Sequence, residues 1–215
     1  MKLISVNVSL PKAVQYKDKL VGTGIFKEPV PGRIMLRRLN LDGDGQADLT
    51  VHGGEDKAVY VYPVEHYAHW QEKLGRKDLT YGQFGENFTT AEILEDQIHI
   101  GDIFRVGAAM VQVTQPRVPC YKLAIKMQMP QFPKLFMAAG RTGFYLRVLE
   151  EGEVGAGDMI ERIDIDPEPM TVQEVFRLAF ADQANHNRAA LQKAVELRGL
   201  STDWQSMFAE RLATR

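Results

Sequence analysis

The spacing of hydrophobic positions changes once along this chain. Up to about Arg162 they fall in short β-branched or aromatic runs cut by Gly, Pro or Asp: Ile4 to Val8, Val59 to Tyr62, Ile98 to Ile100, Ile103 to Val106, Met110 to Thr114, Phe144 to Leu149 and Met159 to Ile163. Such runs predict strands. Many short strands with turn residues between them predict a barrel or sandwich. Helical spacing interrupts the series at about Val64 to Leu74, Tyr121 to Met127 and Phe132 to Ala139.

Two prolines in Ile165-Asp166-Pro167-Glu168-Pro169 predict a linker, because neither suits a helix interior or a central strand. Beyond it the period is helical. Thr171-Val172-Gln173-Glu174 has the form of a capping box, and Val172, Val175, Phe176, Ala179 and Phe180 then share one face. A second helix over roughly Arg188 to Arg198 is expected to end on Gly199 as a left-handed cap. A third opens at Ser201 or Thr202 and carries Trp204, Met207, Phe208 and Leu212. The division expected is a β domain over 1–163 and a three-helix unit over 168–215.

The chain has 215 residues, 45% hydrophobic and 25% charged, with a formal net charge of −2. No global field attracts nucleic acid, so an anion site has to be local. From Glu168 onward six acids balance six Lys and Arg, which argues against a nucleic-acid-reading tail. The N-terminus alternates like a strand rather than forming a signal-peptide core, and no apolar stretch approaches the roughly 18 residues of a membrane span. A cytoplasmic location without membrane contact is expected.

Cys120 is the single cysteine, which excludes an intrachain disulfide and an all-cysteine metal or cluster site. Pro119 before it suits a helix start, and Arg117 and Lys122 nearby favour an ionised sulfur able to attack or to bind a soft metal. A buried structural cysteine is the competing reading. His52-Gly53-Gly54-Glu55-Asp56-Lys57 offers paired glycines whose amides can form an anion nest, beside Lys57 and His52. A plain turn explains the same residues. Asp42-Gly43-Asp44-Gly45-Gln46-Ala47-Asp48 looks like a calcium loop but has Ala47 and Gly53 where that loop needs Gly and Glu. Asn87, in Gly82-Gln83-Phe84-Gly85-Glu86-Asn87-Phe88, can donate to and accept from a pterin-like amide edge. Lys27 and Arg33 read as surface cations, as do His66 and His69 as surface histidines.

The order of these segments resembles the YiiM-type MOSC proteins. The matching segments are Asp48 to Gly54 with Lys57 to Tyr60, Gly85 to Phe88, Gly101 to Phe104, Gln115 to Leu123, and Tyr145 to Leu149 with Gly157-Asp158. The resemblance extends through the helical tail. It implies a mainly β fold, a MOSC-type β-barrel core with a C-terminal three-helix unit. It implies a bound molybdenum cofactor, Mo-molybdopterin, with Cys120 as catalytic residue and metal ligand. Cofactor contacts are then assigned to His52, Lys57, Asn87, Thr114, Arg117, Lys122 and Lys27. The family's activity implies reduction of N-hydroxylated small molecules with electrons from a partner flavoprotein. A cofactor carrier without turnover, or a sulfur-transfer protein using Cys120, would use the same pocket.

Overall fold

The computed structural model describes residues 1–47, 53–165, 169–180 and 187–214. Twelve strands are present among them: β1 (Lys2–Val8), β2 (Lys12–Tyr16), β3 (Lys19–Thr23), β4 (Glu28–Pro29), β5 (Arg33–Leu36), β6 (Val59–Pro63), β7 (Phe88–Ala91), β8 (Ile103–Val106), β9 (Ala109–Pro116), β10 (Phe144–Glu150), β11 (Gly152–Gly155) and β12 (Ile160–Asp164). Eight form one sheet in the order β12-β8-β9-β10-β6-β7-β1-β4, in which only β6 and β7 run parallel. The sheet curls until its ends approach, where Ile160 N donates to Met1 O at 3.0 Å and Leu3 N to Asp158 O at 2.9 Å. The ladder itself stays open, with a single antiparallel bridge, Lys2 to Met159, across the gap. The mainly β class is as expected, and the barrel is incompletely closed.

β6 is buried along its whole length. Its side chains alternate between faces, as a pleated strand requires. Val59 and Val61 enter the barrel core with Leu3, Phe88, Val111 and Leu146. Tyr60 and Tyr62 point the other way, into an aromatic cluster with Tyr67, Trp70, Phe84, Phe132 and Phe136. Three helices cover that second face: α1 (Glu65–Leu74), α2 (Tyr121–Met127) and α3 (Phe132–Ala139).

The tail forms α4 (Val172–Phe180), α5 (Arg188–Glu196) and α6 (Thr202–Ala213). The capping box forms as drawn from the sequence: Thr171 N donates to Glu174 Oε2 at 2.7 Å, and Glu174 N to Thr171 Oγ1 at 3.0 Å. Val172, Val175, Leu191, Trp204 and Phe208 belong to the same apolar cluster as the barrel interior. Phe180 is the exception on its face, half-exposed while still touching the Phe176 ring.

Several expectations change. Ile98 to Ile100 is not a strand; its isoleucines are buried within turns held by His99 N donating to Asp102 Oδ2, so burial rather than a ladder accounts for the apolar run. Gly199 does not cap α5, whose last turn ends at Leu197 in extended conformation. A Cβ on Gly199 would instead stand 2.3 Å from Gly101 Cα, so glycine is required for close approach of the tail to the barrel. β2 and β3 form a hairpin that was missed because both faces are largely exposed and carry no apolar alternation. The linker residues 166–168 lie outside the described residues.

Phe208 is fully buried where helix and barrel share one core. Phe208→Ala is expected to lower unfolding free energy by roughly 3–5 kcal/mol in urea titrations. A loss below about 1 kcal/mol, the size of an average substitution, would mean the helices ride on the barrel without sharing its interior.

Candidate functional site

β6 fixes the site from both of its faces. The aromatic cluster under Tyr60 and Tyr62 takes Leu123 and Met127 from α2, which sets that helix's orientation. Cys120 is its N-cap, with extended backbone, and Lys122 lies in its first turn. Arg117 follows the end of β9, where its amide donates to Gly143 O at 3.0 Å. Gly143 is itself fixed, because its amide donates to Glu95 Oε1 at 2.8 Å. A Cβ at that residue would also meet Val61 O at 2.2 Å.

These residues open onto a cleft of about 610 Å³ that includes its mouth. Its walls carry Lys27, Lys57, Arg117, Lys122, Asn87, Tyr60, Tyr145 and Cys120 and, among the described residues, no Asp or Glu. The field is therefore positive locally although the chain is slightly negative. Arg117 is 5% exposed. Its guanidinium lies over the Tyr60 and Phe136 rings, 5.0 and 5.2 Å from their centroids. Among the described residues its Nη1 has no hydrogen-bond partner, which in a buried cation is costly unless something completes it. Cys120 is partly exposed at the mouth, beside the exposed Val118 and Tyr121.

Other candidate residues serve the frame. Lys27 is buried and its Nζ pairs with Asp44, so it is not the surface cation expected. Burial pulls the Lys27 pKa below its ordinary value, and Asp44 opposes that pull. Asp44 also accepts from Ser9 N and Asn87 Nδ2, both at 2.9 Å. Asn87 Oδ1 accepts from Tyr60 N at 3.1 Å, and its Nδ2 also reaches Asn7 O at 3.3 Å. The Asn87 amide reaches the cleft wall with both ends engaged by the protein. Thr114 is fully buried and is not among the lining residues; its hydroxyl lies 2.7 Å from Asp56 O and 3.1 Å from Tyr145 O. Lys57 is on the wall and also contacts Asp203 Oδ2 at 3.4 Å. His52 lies outside the described residues.

Sequence reasoning missed the group that shapes the 82–86 loop. Glu86 is fully buried and accepts from Gly82 N at 2.8 Å, Phe84 N at 3.0 Å, Thr89 Oγ1 at 3.0 Å and the Tyr67 hydroxyl. Burial nevertheless raises its pKa. His66 is not on the surface as expected: it is buried, with Nε2 2.7 Å from Glu95 Oε2 and Nδ1 3.1 Å from Arg141 Nη1. Arginine only donates, so Nδ1 accepts and Nε2 carries the hydrogen toward Glu95. Among the described residues no group of three or more His, Cys, Asp or Glu could hold a metal ion.

Lys126 ties α2 to the frame by donating to Gly82 O at 2.8 Å and Lys27 O at 3.2 Å. Burial brings its pKa down from 10.5 to about 8. Between those values the unfolded chain holds a proton that the folded chain has released, so stability rises with pH across that window; below about 8 the cost of burying the charge is fully present. Urea titrations from pH 7.5 to 10, at about half-unit steps, should show wild-type stability gaining on Lys126→Met as pH rises. Parallel curves would sink this assignment.

Residues 48–161 match the MOSC domain family, and residues 170–215 match the YiiM-like, 3-alpha helix domain. The protein YflK of Bacillus subtilis (strain 168) is 42% identical over 209 residues, covering 97% of this chain and 93% of YflK. The crystal structure of YiiM from Geobacillus stearothermophilus superimposes with a TM-score of 0.83 at 35% identity, covering 98% of each chain. A protein named reductase from Gibberella moniliformis (strain M3125 / FGSC 7600) is 32% identical over 73% of this chain, which spans 29% of that longer protein. With one family model over residues 48–161 and another over the tail, the chain belongs to the MOSC-domain family, in its YiiM-like branch with a C-terminal three-helix domain.

Proposed function

We propose that the protein is a molybdenum cofactor-dependent reductase of N-hydroxylated compounds, supplied with electrons by a flavoprotein. The observation that carries this reading is one partly exposed sulfur beside a cationic cleft whose buried Arg117 has an unpartnered Nη1. Cys120 offers one soft ligand, and the described residues offer no further cluster to complete a bare ion's shell. A metal suited to this site arrives with its own chelator, and soft thiolate completes a sulfur-rich shell. The pyranopterin chelator carries a phosphate and a dithiolene, which are the anionic groups that Arg117 and Lys122 suit.

When bound, the cofactor supplies the two-electron reduction of an N–OH bond. Arg117 and Lys122 would hold its anionic groups, and Cys120 would supply a thiolate ligand to the metal. Tyr60 and Phe136 orient the guanidinium by stacking. The partly exposed Cys120 end of the cleft would be the side open to an N-hydroxylated substrate, which with two electrons from the cofactor and two protons would give amine and water. The reductase name of the Gibberella relative supports redox chemistry on this domain. Neither the substrate nor the donor follows from that name.

Protein made in a molybdate-fed host is expected to contain molybdenum and to reduce an N-hydroxylated purine in the presence of a flavoprotein donor. Changes around a metal's ligands cost about 10–100-fold, so Cys120→Ser is expected to lose more than about 100-fold in turnover. Full activity in that variant overturns the thiolate role. Stoichiometric molybdenum without turnover identifies a cofactor carrier instead.

A further inference from the structure

The cleft cation Lys57 sits on a single turn of 3₁₀ helix, Glu55–Lys57, with no buried residue of its own. Its position is set from outside. On one side the Thr114 hydroxyl reaches Asp56 O at 2.7 Å. On another, Arg147 of β10 pairs with the Asp56 carboxylate at 2.6 Å. The same Arg147 Nη2 reaches Gly199 O at 3.2 Å, in the connection between α5 and α6. Two residues on, Ser201 N donates to Thr114 O at 3.3 Å. Asp203, in the first turn of α6, then contacts Lys57 Nζ at 3.4 Å. Gly199 packs so closely on Gly101 that a Cβ would collide with its backbone. The tail is therefore seated on the same two residues, Arg147 and Thr114, that seat the cationic turn.

We propose that the C-terminal helical unit is a working part of the cleft, with Arg147 as the positioning residue that couples the α5–α6 connection to Lys57. This rests on the reading above, that the cleft holds an anionic ligand. Arg147 is itself a quarter exposed and does not line the cleft; it acts on the ligand only through Asp56 and the turn. Coupling of this kind is reciprocal: an anion that engages Lys57 steadies the turn, and a steadied turn holds the tail connection in place. A tail with merely structural duties would contribute stability and leave the cleft's affinity alone.

The test has two readouts on the full chain. Molybdenum retained after prolonged dialysis is measured for wild type, Arg147→Met, Arg147→Lys and Lys193→Met. Lys193 instead contacts Pro169 O, at the start of the tail. Arg147→Met is expected to lose metal at least about fivefold faster than wild type, the lower end of typical coupling. Arg147→Lys should recover part of that difference, and Lys193→Met should match wild type. Separately, hydrogen exchange at residues 197–205 is followed with and without inorganic phosphate. Phosphate should slow exchange there in wild type but not in Arg147→Met. Metal loss in Lys193→Met as large as in Arg147→Met, or phosphate that leaves exchange at 197–205 unchanged in wild type, overturns the coupling. Wild-type protein that never contains molybdenum overturns the cofactor reading alone, and the phosphate experiment still decides the coupling.

Discussion

A single strand buried on both faces governs this structure. β6 cannot shift register by one residue without sending Val59 and Val61 into the aromatic cluster and Tyr60 and Tyr62 into the barrel. Its tyrosines are further pinned by hydrogen bonds, Tyr60 to Thr142 O at 2.7 Å and Tyr62 to Arg141 O at 3.0 Å. Those bonds fix the 141–143 loop, and Gly143 in turn receives the Arg117 amide. On the other side, the aromatic face of β6 seats α2 and so Cys120. Sulfur and guanidinium, which come from different elements, are thus indexed to one strand.

The cations of the cleft are not equivalent. Lys27 is buried together with its counter-ion, and Asp44 is in turn held by Ser9 and Asn87. A buried pair so completed has little charge to offer a ligand, and removing either partner costs far more than the pair contributes. Arg117 is the opposite case. Its guanidinium lies over the Tyr60 and Phe136 rings. Aromatic faces partly repay the desolvation of its plane, but among the described residues its Nη1 has no hydrogen-bond partner. Of these two buried cations Lys27 holds the wall, whereas Arg117 keeps the capacity to pair with an anion.

Much of this was legible in the sequence. The period change at the tail, the capping box and the helix opening at Tyr121 follow from local rules, since their signals lie within one or two turns of chain. Cys120, Arg117 and Lys122 were legible for the same reason, being neighbours along the chain. What failed was anything that depends on a partner distant in sequence. Lys27 read as a solvated charge because Asp44 is seventeen residues away, and His66 read as surface because Glu95 and Arg141 are not its neighbours. Asn87 and Thr114 have side chains that could serve a ligand, but buried backbone groups use them first. The Asp42 to Asp48 segment reads from the sequence as a turn-rich loop, yet only the fold shows that Asp44 faces a lysine.

Depth in the cleft sets what each end can do. Arg117 and Lys122 are buried, whereas Cys120 is partly open and flanked by Val118 and Tyr121, which are 44% and 51% exposed. A ligand whose charge is drawn to the cations lies with that charge deep and its other end toward water. Electrostatic attraction strengthens as the local dielectric falls, so a buried cation would draw an anion more strongly than an exposed one. The sulfur itself lies where small molecules and protons can reach it. The apolar rim provides contact area without fixing a single orientation, because it carries no convergent set of polar groups. Tight holding and broad access are compatible here because different residues, at different depths, carry them.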